Sequence, residues 1–145
     1  MGYRSNTAYV IRFKNKEQCD AFINIQLAKA DKWITEAIGE LTRVEDNVLG
    51  WHEQYVKWYD DYEDVKAHKT LMSDAINLFG EDNPECEDYE DQAGYRFIRL
   101  GEEDDDNTVE EEGNSEQLYD YIEWYRNIEV SFKLNPMSNQ DEGEK

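Results

Sequence analysis

The chain predicts an α+β domain: a mainly antiparallel sheet of about four strands with two or three helices packed on one face. Three observations point there. Residues 7–14, 48–59, 94–100 and 118–133 alternate apolar and polar side chains with period two, or are rich in Val, Ile, Tyr and Phe. Residues 16–41 and 62–79 repeat apolar side chains at steps of three and four. The resulting order is strand, helix or helix pair, strand, helix, strand, strand, which suits an antiparallel sheet covered on one side. A chain of 145 residues fits one domain, burying roughly 68–70% of the surface that the unfolded chain exposes. Residues 1–133 are read as that domain and 134–145 as a flexible tail containing Pro136, Ser138, Asn139, Gln140 and Gly143.

In the first strand, Tyr9, Ile11 and Phe13 share one face and Val10 and Arg12 the other. Asn15 follows as an N-cap, with Gln18 placed to reach back as in a capping box. The stripe Cys19, Phe22, Ile23, Leu27, Ala30, Ile34, Ala37, Ile38 and Leu41 fits one long helix, or two with Asp31 capping the second. In the second strand Trp51, Tyr55 and Tyr59 fall on one side and Val56 and Trp58 on the other. Asp60 and Asp61 then cap a helix whose inward stripe is Val65, His68, Leu71, Met72, Ala75, Ile76 and Phe79, closed by Gly80. Residues 94–100 form a third strand. Residues 118–133 form a long, bent or bulged fourth strand, with Leu118, Ile122, Trp124, Ile128, Val130 and Phe132 beneath the helices and Tyr119, Tyr121, Tyr125 and Ser131 facing away.

Charge is the dominant feature of the composition. The net charge is −20, from 35 Asp and Glu against 15 Lys and Arg. Residues 1–60 are nearly neutral, with nine acids and eight bases, whereas residues 81–116 carry sixteen acids and two bases, Arg96 and Arg99. The acids are Glu81, Asp82, Glu85, Glu87, Asp88, Glu90, Asp91, Glu102, Glu103, Asp104, Asp105, Asp106, Glu110, Glu111, Glu112 and Glu116. They fall in the connections on either side of the third strand, which places them on one side of the molecule; if the last two strands pair, the second stretch is their loop. Such a charge opposes direct binding to DNA, RNA or anionic lipid. Four Trp, ten Tyr and five Phe spread through periodic segments argue against disorder.

Signals for catalysis are missing. His52 and His68 share no motif, and His68 lies on an apolar helical stripe, where a hydrogen-bonded core histidine is the ordinary role. No nucleophile elbow, zinc-protease motif or glycine-rich phosphate loop occurs. The EF-hand template started at Asp104 puts Thr108 in its fifth position and Val109 where glycine is required. Cys19 and Cys86 make no C-x-x-C, read as a buried thiol and a loop thiol, and suggest a reducing compartment. The N-terminus has no apolar run, and no stretch of about 18 apolar residues occurs. The chain is therefore expected to be a cytoplasmic, non-enzymatic protein without cofactor or metal.

Two surfaces remain as candidate binding sites. Carboxylates of residues 81–112, lined up at short intervals, can imitate the phosphates of a nucleic-acid strand and occupy the basic groove of a nucleic-acid-binding protein. The second is an aromatic sheet face made of Trp51, Tyr55, Tyr59, Tyr121 and Tyr125, suited to a homodimer or other partner contact without mimicry.

The opening Met1-Gly2-Tyr3-Arg4-Ser5, together with Val56-Lys57-Trp58-Tyr59 and Gly94-Tyr95-Arg96-Phe97-Ile98-Arg99-Leu100-Gly101-Glu102, resembles a group of small proteins encoded by tailed bacteriophages. The similarity spans the chain to about Lys133. It implies expression inside an infected bacterium, where small acidic proteins block restriction enzymes, CRISPR effectors or nucleases. It carries no residue roles.

Overall fold

The computed structural model describes residues 2–125 and 127–138. The elements in order are β1 (Ser5–Arg12), α1 (Lys16–Ala28), α2 (Lys32–Glu40), β2 (Thr42–Glu45), β3 (Val48–Val56), α3 (Glu63–Phe79), β4 (Gly94–Leu100), β5 (Asn107–Gly113), β6 (Ile122–Trp124) and β7 (Ile128–Val130). The first five strands make one sheet of order β2-β3-β1-β4-β5, and β6 and β7 make a separate hairpin. Every described pair is antiparallel. The α+β class is as the sequence predicts, with five strands in the main sheet in place of about four.

β1 is the central strand, paired with β3 and β4, and both its faces are buried. Tyr9, Ile11 and Phe13 enter the core shared with the three helices. Ala8 and Val10 enter a second core closed by Leu118, Ile122 and Ile128. Full burial of a side chain of this kind stabilises the fold by about 1.5–3 kcal/mol, so the two clusters together hold three layers.

The helical stripe of residues 16–41 resolves into two helices. Asn15 caps α1 by accepting from the Gln18 N–H at 2.9 Å, and Gln18 Oε1 accepts from the Lys14 N–H at 3.0 Å. Ala30 then turns to φ +53, and Asp31 Oδ1 caps α2 by accepting from the N–H groups of Trp33 and Ile34. α3 starts at Glu63 without a side-chain cap, so Asp60 and Asp61 do not cap it; Asp60 instead pairs with Lys69. Gly80 closes α3 because a Cβ there would stand 2.2 Å from the Ile76 carbonyl oxygen.

At the centre of the helix-side core the Tyr9 hydroxyl lies 2.6 Å from His68 Nδ1. Burial first, and the Glu40 charge second, raise the Tyr9 pKa well above its ordinary value. The hydroxyl therefore keeps its proton, and on the other side of the ring His68 Nε2 faces Glu40 Oε1 at 3.3 Å. Trp51 Nε1–H donates to the same oxygen at 3.3 Å. His68 is thus a buried, hydrogen-bonded core residue.

Two expectations about the strands are corrected. Residues 118–133 are not one strand beneath the helices. Gln117 takes φ +67, residues 118–120 form a 3-10 turn, and the short β6–β7 hairpin follows, packed on the face of the sheet opposite the helices. The second acidic stretch is not a loop throughout, because residues 107–113 pair with β4 as β5. Residues 42–45, which carry no long alternation, form β2 and turn through Asp46 and Asn47 into β3. The tail is anchored as far as it is described: Asn135 N–H donates to Thr42 Oγ1, Met137 N–H donates to the Leu41 carbonyl, and Met137 packs on the helix-side core. Residues 139–145 lie outside the described residues.

Ile128 is buried in the second core, so Ile128→Ala should lower unfolding free energy by about 2–5 kcal/mol through lost transfer energy and the cavity left behind. Denaturant unfolding measures this; a loss below about 1 kcal/mol would mean that the hairpin does not close that core.

Candidate functional site

The acidic segment is built onto β4, whose side chains are buried or half-buried along its whole length. Tyr95 and Phe97 point toward the helices, and Arg96, Ile98 and Leu100 toward the hairpin. A turn at Gly101 brings the chain back as β5, in the register Tyr95 to Glu112, Arg96 to Glu111, Phe97 to Glu110 and Arg99 to Thr108. Glu110 and Glu112 therefore share the helix-side face of β5, and Glu111 lies on the other.

Asp106 fixes the turn. Its carboxylate accepts from Arg99 Nη2 at 2.6 Å and from the Tyr3 hydroxyl at 2.6 Å, and its carbonyl accepts from the Gly101 N–H at 2.8 Å. Hydrogen bonds from Arg99 first and Tyr3 second hold its carboxyl below the usual aspartate range. Gly101 is required there, since a Cβ would meet the Asp106 carboxylate and the Tyr3 hydroxyl at 2.3 Å. Asp106 is accordingly a structural anchor, while Glu102, Glu103, Asp104 and Asp105 are exposed around it. Glu102 accepts from the Arg4 main-chain N–H at 3.1 Å.

Arg96 performs the same service on the other face. Only 8% exposed, it pairs with Glu111 at 3.1 Å and Glu123 at 2.7 Å and donates to the Ile122 carbonyl at 3.2 Å, tying β5 and β6 to β4. On the helix side no cation meets Glu110 or Glu112 among the described residues. Tyr95 beneath them is pushed up to about 12, by burial first and then by Glu112 and Glu110.

The first acidic stretch makes two 3-10 turns, Pro84–Cys86 and Tyr89–Asp91, between α3 and β4. Asp91 pairs with Lys14 at 3.3 Å. Glu81, Asp82, Glu85, Glu87, Asp88 and Glu90 are exposed without an ion pair among the described residues. Cys86 is buried within this loop, 3.5 Å from Gln18 Nε2.

Turn 102–106 and loop 81–91 sit at opposite ends of β4, about 20 Å apart at ~3.4 Å per residue. β5 spans that gap. Its Gly113 carbonyl accepts from the Tyr89 hydroxyl at 3.3 Å, and Asn114 Nδ2 donates to the Tyr89 carbonyl at 3.1 Å. Turn 102–106, strand β5 and loop 81–91 thus form one continuous acidic edge.

The predicted aromatic face is not assembled. Trp51 is buried on the helix side, its ring centroid 4.3 Å from that of His68. Tyr59 lies beyond β3 and accepts from the Tyr3 N–H at 2.6 Å. Tyr121 donates to Glu45, and burial, then that bond, pushes it up to about 12. Tyr55 takes φ +61 at an irregularity within β3, where the register against β1 shifts between Glu53 and Val56, and this breaks the alternation that had placed it with Trp51. Tyr55, 75% exposed, and Tyr125, 79% exposed, line two cavities that share Leu100 and Gly101.

Sequence reasoning missed a groove of about 880 Å³ beside β5, lined by Trp58, Tyr59, Lys69, Phe97, Arg99 and Glu110 among others. Its residues come from five separate parts of the chain, so no local spacing announces it. Among the described residues no group of three or more His, Cys, Asp or Glu side chains is placed to hold a metal ion. No described helix is long and apolar enough to cross a membrane.

The crowded carboxylates repel one another, and Arg96 and Arg99 answer few of them. Raising sodium chloride from about 0.01 M to about 0.15 M shortens the screening length from ~30 Å to ~8 Å. The melting temperature should therefore rise with salt; a flat or falling dependence would mean that ion pairs outweigh repulsion in this fold.

Compared with models of known protein families, with curated proteins and with solved structures, the chain matches none.

Proposed function

We propose that this chain is a protein-binding module that occupies the basic nucleic-acid-binding surface of another protein, presenting its acidic edge in place of a phosphate chain. The observation that carries this reading is the row Glu110, Glu111, Glu112 on β5, continued by exposed acids at both ends of the strand. A β-strand advances ~3.4 Å per residue, and one strand of duplex DNA presents one charge per ~3.4 Å of axis. Glu111 lies on the other face of β5 and is paired with Arg96, so the unpaired carboxylates of the helix-side face, Glu110 and Glu112, recur every ~6.8 Å, or about one for every second phosphate of a DNA strand. Lys and Arg side chains that normally meet phosphates would meet these carboxylates, and both partners would release counterions. In the bacteriophage setting that the sequence resemblance implies, the target is a host restriction enzyme, CRISPR effector or nuclease, and the chain acts without chemistry of its own.

A second reading is favoured by Tyr55 and Tyr125. Two exposed tyrosines beside the Leu100–Gly101 turn suit a dimerising or accessory contact anchored on aromatic rings.

The test is association kinetics with a basic partner, comparing the native chain with the variant Asp104→Asn, Asp105→Asn, Glu110→Gln, Glu112→Gln. Asp106 and Glu111 are left in place because Arg99 and Arg96 depend on them. The on-rate should fall about tenfold or more and lose most of its salt dependence, with melting unchanged or improved. An unchanged on-rate, with binding lost instead on Tyr125→Ala, favours the second reading.

A further inference from the structure

We infer that β5 captures its partner by strand addition: an extended segment rich in Lys and Arg pairs with β5 as a sixth strand of the sheet. The inference rests on the proposed acidic binding surface and specifies how that surface is engaged.

Three features converge on β5. It is the outermost strand on its side of the sheet among the described residues. In an antiparallel pair, alternate residues turn both main-chain groups toward the partner strand and the others turn them away. The Gly101 N–H bond to the Asp106 carbonyl sets that alternation, so Asn107, Val109 and Glu111 direct N–H and C=O outward. These groups are a row of donors and acceptors of the kind that peptide-binding sheets offer to an added strand. Next, the helix layer stops short of β5, leaving the groove of about 880 Å³ along its helix-side face. Alternate side chains of an added strand would therefore meet Glu110 and Glu112 on that face and not a helix. Finally, charge selects the occupant. A second copy of this chain would set Glu against Glu, which is unfavourable between paired strands, whereas Lys or Arg opposite each Glu is favourable. Acidic residues on both faces of an edge strand thus exclude self-pairing and select a basic strand.

The probe is a blocked heptapeptide alternating Thr and Lys, compared with the same peptide N-methylated at every residue. Methylation keeps the charge and removes every main-chain donor. Titrated into the full chain at low salt, the unmethylated peptide should bind at least tenfold more tightly and should slow amide exchange at Asn107, Val109 and Glu111 at least tenfold. Glu110→Gln with Glu112→Gln should weaken it at least threefold. Equal affinity of the two peptides, with exchange at β5 unchanged, overturns strand addition while leaving charge recognition intact. No binding by either peptide, or binding indifferent to the Glu→Gln changes, overturns both. Sedimentation showing a dimer of the chain that protects β5 overturns the assignment of a basic strand as the occupant.

Discussion

Everything in this molecule hangs on the double burial of β1. With both edges paired and both faces covered, this strand requires one layer of helices for Tyr9, Ile11 and Phe13 and a different layer for Ala8 and Val10. The second layer is a hairpin of only two three-residue strands, which cannot stand alone and is held to the sheet by Arg96 and by Ile122 and Ile128. β4 inherits the same two-sided burial. β5, one place further out, does not; the helices stop before it, and its side chains are free to be charged. The acidic edge is a consequence of where the layers end.

The two cations of the acidic segment have divided roles in that arrangement. Arg99 holds the turn through Asp106, and Arg96 holds the strand and hairpin through Glu111 and Glu123. Both are consumed by the fold, so the remaining carboxylates depend on solvent ions or a partner for their counter-charge. A lone charged residue suffices to protect a sheet edge from aggregation. A run of three on β5 with exposed acids beyond each end is more than protection requires, and its self-repulsion is a standing cost that binding to a basic surface would relieve.

Much of this was legible in the residues. The first strand, β4, the stripe of α3 and the cap at Asn15 follow from period and capping chemistry, whereas the stripe over 16–41 fits one helix as well as two, and the break at Ala30 that makes Asp31 a cap shows only in the backbone. The long strand over 118–133 misled for a geometric reason. In the β6–β7 hairpin Ile122 pairs with Val130 and Trp124 with Ile128, so even-numbered residues face even-numbered residues across a three-residue loop. Alternation therefore passes through the turn without a break. β5 was hidden because Glu is a poor strand former by propensity; only pairing with β4 makes residues 110–112 extended. The candidate acids were named from charge alone, but their division into anchors (Asp106, Glu111, Asp91) and exposed carboxylates needs the partners Arg99, Arg96 and Lys14, which no spacing reveals. The aromatic face failed where Tyr55 adopts a left-handed backbone and shifts register against β1.

If the acidic edge, and not the helix layer or the exposed tyrosines, meets the partner, hydrogen–deuterium exchange on the chain alone and in complex with a basic, nucleic-acid-binding partner should show it. Exchange should slow across residues 102–113, extending into 81–91, with α1 and α2 unchanged. Protection centred on Tyr55 and Tyr125 or on the helices, with β5 exchanging as it does in the free chain, would contradict it.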